Sequence, residues 1–227
     1  MLMGGAKIDT KIGVVRNFLH KADTFLIGGG LANTFLNAQG FNVGESLCEH
    51  DKAGLAQDIM LEAEKYNERI VLPEDVKVAS EASDEAEVLD LPIRDVEGDM
   101  KIFDLGRLAT DIFCQIIRKA GMVIWNGPIG LFEIKPFEDG TRRIAEAVAE
   151  TKATTIIGGG DTLEAIARFN IDENKFNHVS TGGGAMLEFL EGKVPFHLLE
   201  FLFLTNPFLE YFPVAIAIPK PIFSAAV

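Results

Sequence analysis

Five stretches of the chain place glycines directly after a short apolar run and directly before a helical pattern. A glycine there lets backbone N–H groups approach a bound oxyanion closely, and the N-terminus of the following helix adds a partial positive charge. Loops that leave the carboxyl ends of parallel strands share one edge of a sheet, so we expect all five at one edge. The pattern therefore predicts an α/β domain that handles phosphate groups. The stretches are Gly4-Gly5-Ala6-Lys7, Gly28-Gly29-Gly30, Trp125-Asn126-Gly127-Pro128, Gly158-Gly159-Gly160-Asp161 and Thr181-Gly182-Gly183-Gly184.

Charged residues stand beside two of these loops. Lys7 and Lys11 are four residues apart at the start of the first predicted helix, so they would share one helix face. Most lysine pairs of this kind are solvated, but beside the first glycine loop they would meet phosphates as two point charges. Asp161 precedes Thr162 at the start of another helix. It could cap that helix or hold Mg²⁺ against nucleotide phosphates, and the two roles are compatible.

No single loop matches a nucleotide-binding fingerprint. The stretch that begins at Gly28 lacks the last glycine of G-x-G-x-x-G, and the Gly192-Lys193 pair has Leu187 where a Walker loop needs its first glycine. One triple glycine is more often a tight turn than a ligand site. Three of them, each at a strand-to-helix junction, favour a ligand site. Glu133, which follows the glycine stretch that begins at Trp125, could bind ribose hydroxyls, although alone it would be interpreted as a surface residue.

Composition excludes several classes of function. The net charge of −13 argues against a nucleic-acid partner, because phosphate backbones are neutralised by clustered lysine and arginine. Cys48 and Cys114 match no metal or redox spacing, which indicates reduced thiols and a cytoplasmic protein. We expect no membrane span, because no run of about 18 apolar residues occurs. The histidines lack partners at catalytic spacing and are interpreted as structural or solvated; they are His20, His50, His178 and His197.

Strand and helix patterns alternate along most of the chain. This alternation predicts a doubly wound, three-layer α/β/α parallel sheet of the Rossmann-like type, as a single nucleotide-binding domain over residues 1–194. A polar, acidic segment interrupts it before Asp99, and residues 195–227 form an atypical apolar tail broken by prolines. The predicted strands cover residues 24–27, 69–72, 76–79, 122–125, 154–157 and 178–180. The predicted helices cover residues 11–20, 31–38, 51–66, 162–169 and 185–191, with two more around residues 108–117 and 144–148.

In their order along the chain, these strings resemble the carboxyl-terminal, nucleotide-binding half of phosphoglycerate kinase over about residues 1–194. The resemblance implies transfer of the acyl phosphate of 1,3-bisphosphoglycerate to Mg·ADP, which gives 3-phosphoglycerate and ATP. Such catalysis works by positioning and charge stabilisation. The matching strings start with Gly4-Gly5-Ala6-Lys7, Lys11-Ile12-Gly13 and Ile27-Gly28-Gly29-Gly30 and continue with Phe103-Asp104-Leu105-Gly106, Trp125-Asn126-Gly127-Pro128, residues 157–161 and residues 180–185.

The resemblance also implies roles for individual residues. Lys7 would stabilise the phosphoryl group in flight, Asp161 would associate with Mg²⁺, and Glu133 would bind the ribose. The helix N-terminus at Gly182, Gly183 and Gly184 would face the transferring phosphate. The remaining implied contacts to ADP or ATP, from the walls of the adenine pocket to the phosphate side, are Gly5, Ala6, Lys11, Gly28, Gly29, Gly30, Leu105, Gly106, Asn126, Gly158, Gly159, Gly160 and Thr162.

The chain also departs from the family pattern. Members have an amino-terminal domain whose arginines and histidine bind phosphoglycerate, and this sequence contains no such basic patch. We therefore expect a gene fragment with a fused or frameshifted end, monomeric like the family, that binds nucleotide but is inactive alone. The alternative is a non-catalytic nucleotide-binding or scaffold module whose aromatic tail docks on a partner, because exposed apolar surface often marks an interface.

Overall fold

The computed structural model describes residues 1–9, 11–19, 21–66 and 69–192. Its strands are β1 (Leu2–Met3), β2 (Thr24–Ile27), β3 (Arg69–Val71), β4 (Asp75–Ala79), β5 (Leu89–Pro92), β6 (Lys101–Leu105), β7 (Met122–Asn126), β8 (Thr154–Gly158) and β9 (His178–Ser180). Its helices are α1 (Ile12–Phe18), α2 (Gly29–Ala38), α3 (Ala53–Lys65), α4 (Arg107–Lys119), α5 (Asp139–Glu150), α6 (Gly160–Arg168) and α7 (Gly183–Leu190).

Six of these strands form one parallel sheet in the order β3-β2-β1-β7-β8-β9. The predicted parallel α/β fold is thereby confirmed. The strand order reverses direction at β1, so the five strands that end in glycine loops, β2, β1, β7, β8 and β9, are neighbours. Their carboxyl ends lie along one edge, which places all five glycine loops there, as predicted.

Apolar side chains fill both faces of this sheet. Val123, Ile124 and Trp125 are consecutive on β7 and all buried, and alternate residues of a strand point to opposite faces. One face packs on α4, where Phe113 and Ile117 recur at the helical spacing of four residues. Burial of this kind contributes about 25 cal/mol per Å² of apolar surface removed from water. It explains why short strands such as β1 are stable in the middle of the sheet.

A three-stranded antiparallel sheet, in the order β5-β4-β6, was not predicted. Only β4 shows the alternation of a strand, with Val76 and Val78 buried on either side of Lys77. Three of the four residues of β5 are exposed, and the strand ends in Pro92, so its sequence resembles that of a loop. The polar segment before Asp99 therefore contains an edge strand, whose polar side chains and proline suit a sheet edge.

Carboxylates of the antiparallel sheet hold the beginning of α4. Asp75 accepts hydrogen bonds from the backbone N–H groups of Leu108 (2.8 Å) and Ala109 (2.6 Å). Asp90 accepts one from the N–H group of Arg107 at 3.1 Å. The first turn of a helix leaves N–H groups without partners inside the helix, and these two side chains satisfy three of them.

Several predictions concern residues outside the described ranges. They include the role of His20 and the whole of the tail from residue 195 onward. Across the part of the chain that the structure describes, no helix combines the length and apolar character needed to cross a membrane.

Candidate active site

The loops that follow β1, β2 and β7 are bonded directly to one another. The N–H group of Gly4 donates to the carbonyl of Asn126 (3.0 Å), and that of Gly5 donates to the carbonyl of Pro128 (2.9 Å). Gly29 donates in turn to Ile129 at 2.7 Å. A Cβ atom on Gly4 would lie 1.9 Å from the carbonyl oxygen of Pro128, so only glycine permits this approach.

An apolar cavity of about 310 Å³ opens beside these loops. Apolar side chains of the antiparallel sheet form one wall, among them Val76 and Ile102, and Leu47 closes another side. Of this sheet, only Leu105 at the end of β6 was assigned a role from the sequence; Val76, Ile102 and Leu47 were not, and the alternation around Val76 was the available signal for that wall. The predicted site residues that line this apolar cavity are Gly5, Ala6, Gly29, Gly30, Leu105, Glu133 and Asp161.

A second cavity, of about 350 Å³, contains both predicted lysines, and we call it the lysine cavity. It shares Gly5, Ala6 and Asp161 with the apolar cavity, so the two adjoin along these residues. One continuous site thus has an apolar end and an end with two cationic side chains. The predicted site residues of the lysine cavity are Gly5, Ala6, Lys7, Lys11, Asn126, Gly159, Gly160, Asp161 and Thr162.

Lys11 is buried at the base of the lysine cavity, whereas Lys7 is exposed at its mouth. The Nζ atom of Lys11 donates to Oδ1 of Asn126, and Nδ2 of Asn126 donates to the carbonyl of Gly158 at 2.8 Å. Burial lowers the pKa of Lys11 to about 8, and the nearby Asp161 carboxylate opposes this shift. Asn126 therefore orients a lysine that carries its charge at neutral pH and loses it in mild alkali.

Asp161 and Thr162 differ in what their side chains do. Thr162 is fully buried, and its hydroxyl donates to the carbonyl of Gly158 (3.0 Å) and accepts from the N–H group of Gly127 (2.8 Å). That hydroxyl joins the loops after β7 and β8. Asp161 is the second residue of α6 and is exposed to the site, where a carboxylate complements the positive end of the helix. The helix begins at Gly160, so Asp161 does not occupy the N-cap position.

Metal binding would depend on very few protein ligands. Among the described residues, no group of three or more His, Cys, Asp or Glu is placed to hold a metal ion. Mg²⁺ commonly takes one or two carboxylates and completes its shell with water and the phosphates of a substrate. Asp161, alone at the junction of the two cavities, fits that arrangement.

Other predicted residues lie at the same edge but outside the two cavities. Gly28 packs against Ile129, Gly106 begins α4 beside Asp75, and Gly158 packs against Met186. These glycines serve close packing between elements. Glu133, by contrast, lines the apolar cavity with an exposed side chain, and its backbone carbonyl accepts from Arg168 at 2.9 Å. Gly182 precedes α7, and Gly183 and Gly184 are the first two residues of that helix; all three line neither cavity but follow β9 at the same edge.

Fold and site together define an α/β protein with a parallel sheet whose glycine loops enclose an elongated site at one edge. The family model described as phosphoglycerate kinase matches residues 1–193, and the chain belongs to this family. Phosphoglycerate kinase of Coxiella burnetii is 46% identical over 193 residues, which are 85% of this chain and 49% of that protein. The corresponding protein of Finegoldia magna is 48% identical with the same coverage.

Solved structures agree with these sequence relatives. The structure of phosphoglycerate kinase from Coxiella burnetii matches with a TM-score of 0.82. The match covers 84% of this chain and 49% of the Coxiella burnetii chain. The crystal structure of the enzyme from Pyrococcus horikoshii OT3 matches with a TM-score of 0.74 at 30% identity, over 93% of this chain and 52% of its own. The chain thus spans about half the length of the relatives it matches.

Proposed function

We propose that this chain binds Mg·ADP or Mg·ATP and supplies the nucleotide side of the phosphoglycerate kinase reaction. The observation that carries the proposal is the junction of the apolar cavity with the lysine cavity at Gly5, Ala6 and Asp161. An apolar cavity suits a base and ribose, and an adjoining cationic one suits phosphates. This arrangement supports our proposal that the chain corresponds to the carboxyl-terminal, nucleotide-binding half of the family.

The lysine cavity has the chemistry to stabilise a phosphoryl group during transfer. Charge spreads over the oxygens of that group in the transition state, so fixed cations and helix N-termini lower the barrier without a covalent nucleophile. We assign Lys11 to the nucleotide phosphates, since Asn126 holds it at the base of the cavity. Lys7, exposed at the mouth, is assigned to the migrating group. Bound Mg²⁺ would neutralise phosphate charge beside Asp161.

The proposal for this chain covers the nucleotide side alone. The acid substrate of the family reaction, 3-phosphoglycerate or 1,3-bisphosphoglycerate, has phosphate and carboxyl groups of the kind that arginine binds in bidentate fashion. The arginines among the described residues line neither cavity. We therefore assign the acid to no residue described here, and we expect negligible turnover by the chain alone.

Calorimetric titration with ADP, in the presence and absence of Mg²⁺, tests the nucleotide site. We expect saturable binding, tighter with Mg²⁺. Asp161→Asn should remove most of the gain from Mg²⁺ while it leaves metal-free ADP binding nearly unchanged. Glu164→Gln, an exposed carboxylate three residues further along α6, is the matched control and should behave as the parent chain. Absence of binding by the parent chain would refute the nucleotide site. Rapid turnover of 3-phosphoglycerate and ATP would refute the proposal that this chain supplies only the nucleotide side of the reaction.

A further inference from the structure

A fully buried carboxylate belongs to Asp104, one of the residues at the wall of the apolar cavity. The side chain of Asp104, on β6, has no solvent exposure. Its Oδ2 atom accepts a hydrogen bond from the N–H group of Gly140 in the first turn of α5 (2.7 Å) and lies 3.9 Å from Nζ of Lys77. Its Oδ1 atom has no hydrogen-bond partner within the described residues. A buried carboxylate that lacks full compensation is costly, so its presence calls for an explanation.

Two glycines make room for this carboxylate. A Cβ atom on either Gly130 or Gly140 would lie 2.2 Å from Oδ1 of Asp104. Gly130 and Leu131 line the apolar cavity, and the N–H group of Leu131 donates to the carbonyl of Phe103 at 2.7 Å. The backbone that faces the cavity at Gly130 and Leu131 therefore rests directly on Asp104 and its strand.

The charged groups around Asp104 come from two elements. Lys77 of β4 lies between Asp104 and Asp139, with its Nζ atom 3.5 Å from Oδ2 of Asp139. At the start of α5, Asp139 pairs with Arg142 at 2.9 Å, and Arg142 also approaches Glu138 at 4.0 Å. Burial raises the pKa of Asp104 to about 7; the Gly140 N–H group, Lys77 and the Leu105 N–H group oppose the shift, and Asp139 adds to it.

We propose that Asp104 is a positioning residue of the nucleotide site, which supports the Gly130–Leu131 wall through its contacts with Lys77 and the start of α5. The inference rests on the proposed function, because it concerns the affinity of that site for a nucleotide. The ionised carboxylate holds Lys77 and the first turn of α5 together. Once protonated, it no longer attracts Lys77, which then pairs with Asp139 alone, and the wall is held less firmly.

The sign of the pH dependence follows from this arrangement. If the ionised form binds nucleotide better, bound nucleotide lowers the pKa of Asp104, and affinity falls as the pH falls through about 7. The phosphates of ADP also titrate, so the informative quantity is the difference between the parent chain and a variant under the same conditions. Asp104→Asn is that variant, because its amide has the shape of the protonated carboxyl group and does not titrate.

Calorimetric titration with Mg·ADP at about pH 6 and about pH 8 provides the test. Relative to Asp104→Asn, the parent chain should lose about fivefold in affinity on acidification, within the usual range of coupling between sites. At about pH 6 the variant should bind as weakly as the parent chain, and at about pH 8 it should bind about fivefold more weakly than the parent chain. Thr155→Val serves as the control, since Thr155 is equally buried but bonds to Asn177 between β8 and β9. It should keep the pH profile of the parent chain.

A second variant covers the case in which Asp104→Asn does not fold. Lys77→Met removes the cation that lowers the pKa of Asp104, so the loss of affinity should begin at a higher pH. Parallel profiles for the parent chain and Asp104→Asn, or an unshifted profile for Lys77→Met, would overturn the role of Asp104. Failure of the parent chain to bind at any pH would instead overturn the proposed function, and this inference with it.

Discussion

The glycine loops after β1, β2 and β7 differ from the loops after β8 and β9 in what surrounds their glycines. In the first group, a Cβ atom on Gly4 would lie 1.9 Å from a backbone oxygen, and one on Gly28 would lie 2.3 Å from Ile129. In the second group, a Cβ atom on Gly158 would still lie 2.1 Å from Met186, but Cβ atoms on Gly160 and Gly184, at the starts of α6 and α7, would meet no atom within 4 Å. Glycines of the same sequence pattern thus serve close packing at Gly4, Gly28 and Gly158, and an open helix N-terminus at Gly160 and Gly184.

The comparison distinguishes two functions of these glycines, close packing between loops and access to a helix N-terminus. The packed loops fix the shape of the apolar cavity, because each is bonded to the next. The open glycines leave backbone N–H groups accessible at the starts of α6 and α7, where an anion would be stabilised. Substitutions of the packed glycines should therefore affect mainly stability, and those of the open glycines mainly ligand affinity.

The largest effect is expected for Gly4→Ala. Its Cβ atom would collide with the backbone of Pro128, which cannot move without the loop after β7. We expect the free energy of unfolding to fall by about 3 kcal/mol, the upper range for overpacking. Urea denaturation measures it. Gly54→Ala is the control, because Gly54 lies in α3 with no neighbour within 4 Å, and alanine there favours the helix. Equal stability of the two variants would break the comparison.

Removal of a charge from the lysine cavity comes next. Lys11→Ala should weaken ADP binding by roughly 10- to 100-fold, the value of a hydrogen bond to a charged group. Its effect on folding should be smaller, since the deletion relieves the burial of a cation. Calorimetric titration measures the affinity. Lys21→Ala, which removes an exposed lysine bonded to Asn17, should bind ADP as the parent chain does. Equal affinities for the two variants would exclude Lys11 from the phosphate end.

The pH dependence in mild alkali should depend on the same lysine. The pKa of Lys11 lies at about 8, so its positive charge is lost as the pH rises through that value. Affinity for ADP should therefore fall by roughly tenfold between about pH 7 and pH 9, because the charged fraction of a group with a pKa of about 8 falls by about that factor over this range. The Lys11→Ala chain should show no such fall. A fall of the same size in that variant would assign the titration to another group.

The smallest effect is expected for Gly160→Ala. Its methyl group would enter open space in the first turn of α6, so stability should stay within about 0.5 kcal/mol of the parent chain. The same methyl group would face the lysine cavity and hinder a close approach of phosphate, with an affinity loss of about threefold. Denaturation and titration of one preparation give both values. A large loss of stability would place Gly160 among the packing glycines.

Much of the fold could be predicted from the sequence, because its signals are local. Apolar runs of four or five residues predicted β2, β7 and β8 within one or two residues, and helical spacing did the same for α3 and α6. The shared edge of the glycine loops followed from parallel topology alone. The antiparallel sheet was missed because β5 is a short, exposed edge strand, and its pairing with β4 depends on tertiary contacts.

The sequence indicated many of the residues that form the candidate site, but not which hydrogen bonds their side chains make. Residue types and spacing selected Lys7, Lys11 and Asp161, which do meet in one cavity. The functions of those residues remain predictions. The Thr162 hydroxyl accepts a hydrogen bond from Gly127, which lies 35 positions earlier, and the Asp104 carboxylate accepts one from Gly140, which lies 36 positions later. Contacts between residues so far apart in the sequence produce no local pattern from which they could be predicted.

The bond between Asp75 and the first turn of α4 has a consequence for hydrogen exchange. The side chain of Leu108 is exposed, and helix ends with exposed side chains usually fray and exchange their amide protons quickly. Here the N–H groups of Leu108 and Ala109 are bonded to a strand that lies more than 30 positions earlier. Their exchange requires the antiparallel sheet to separate from the helix. Amide protons at the start of α4 therefore report the opening of the sheet that walls the apolar cavity.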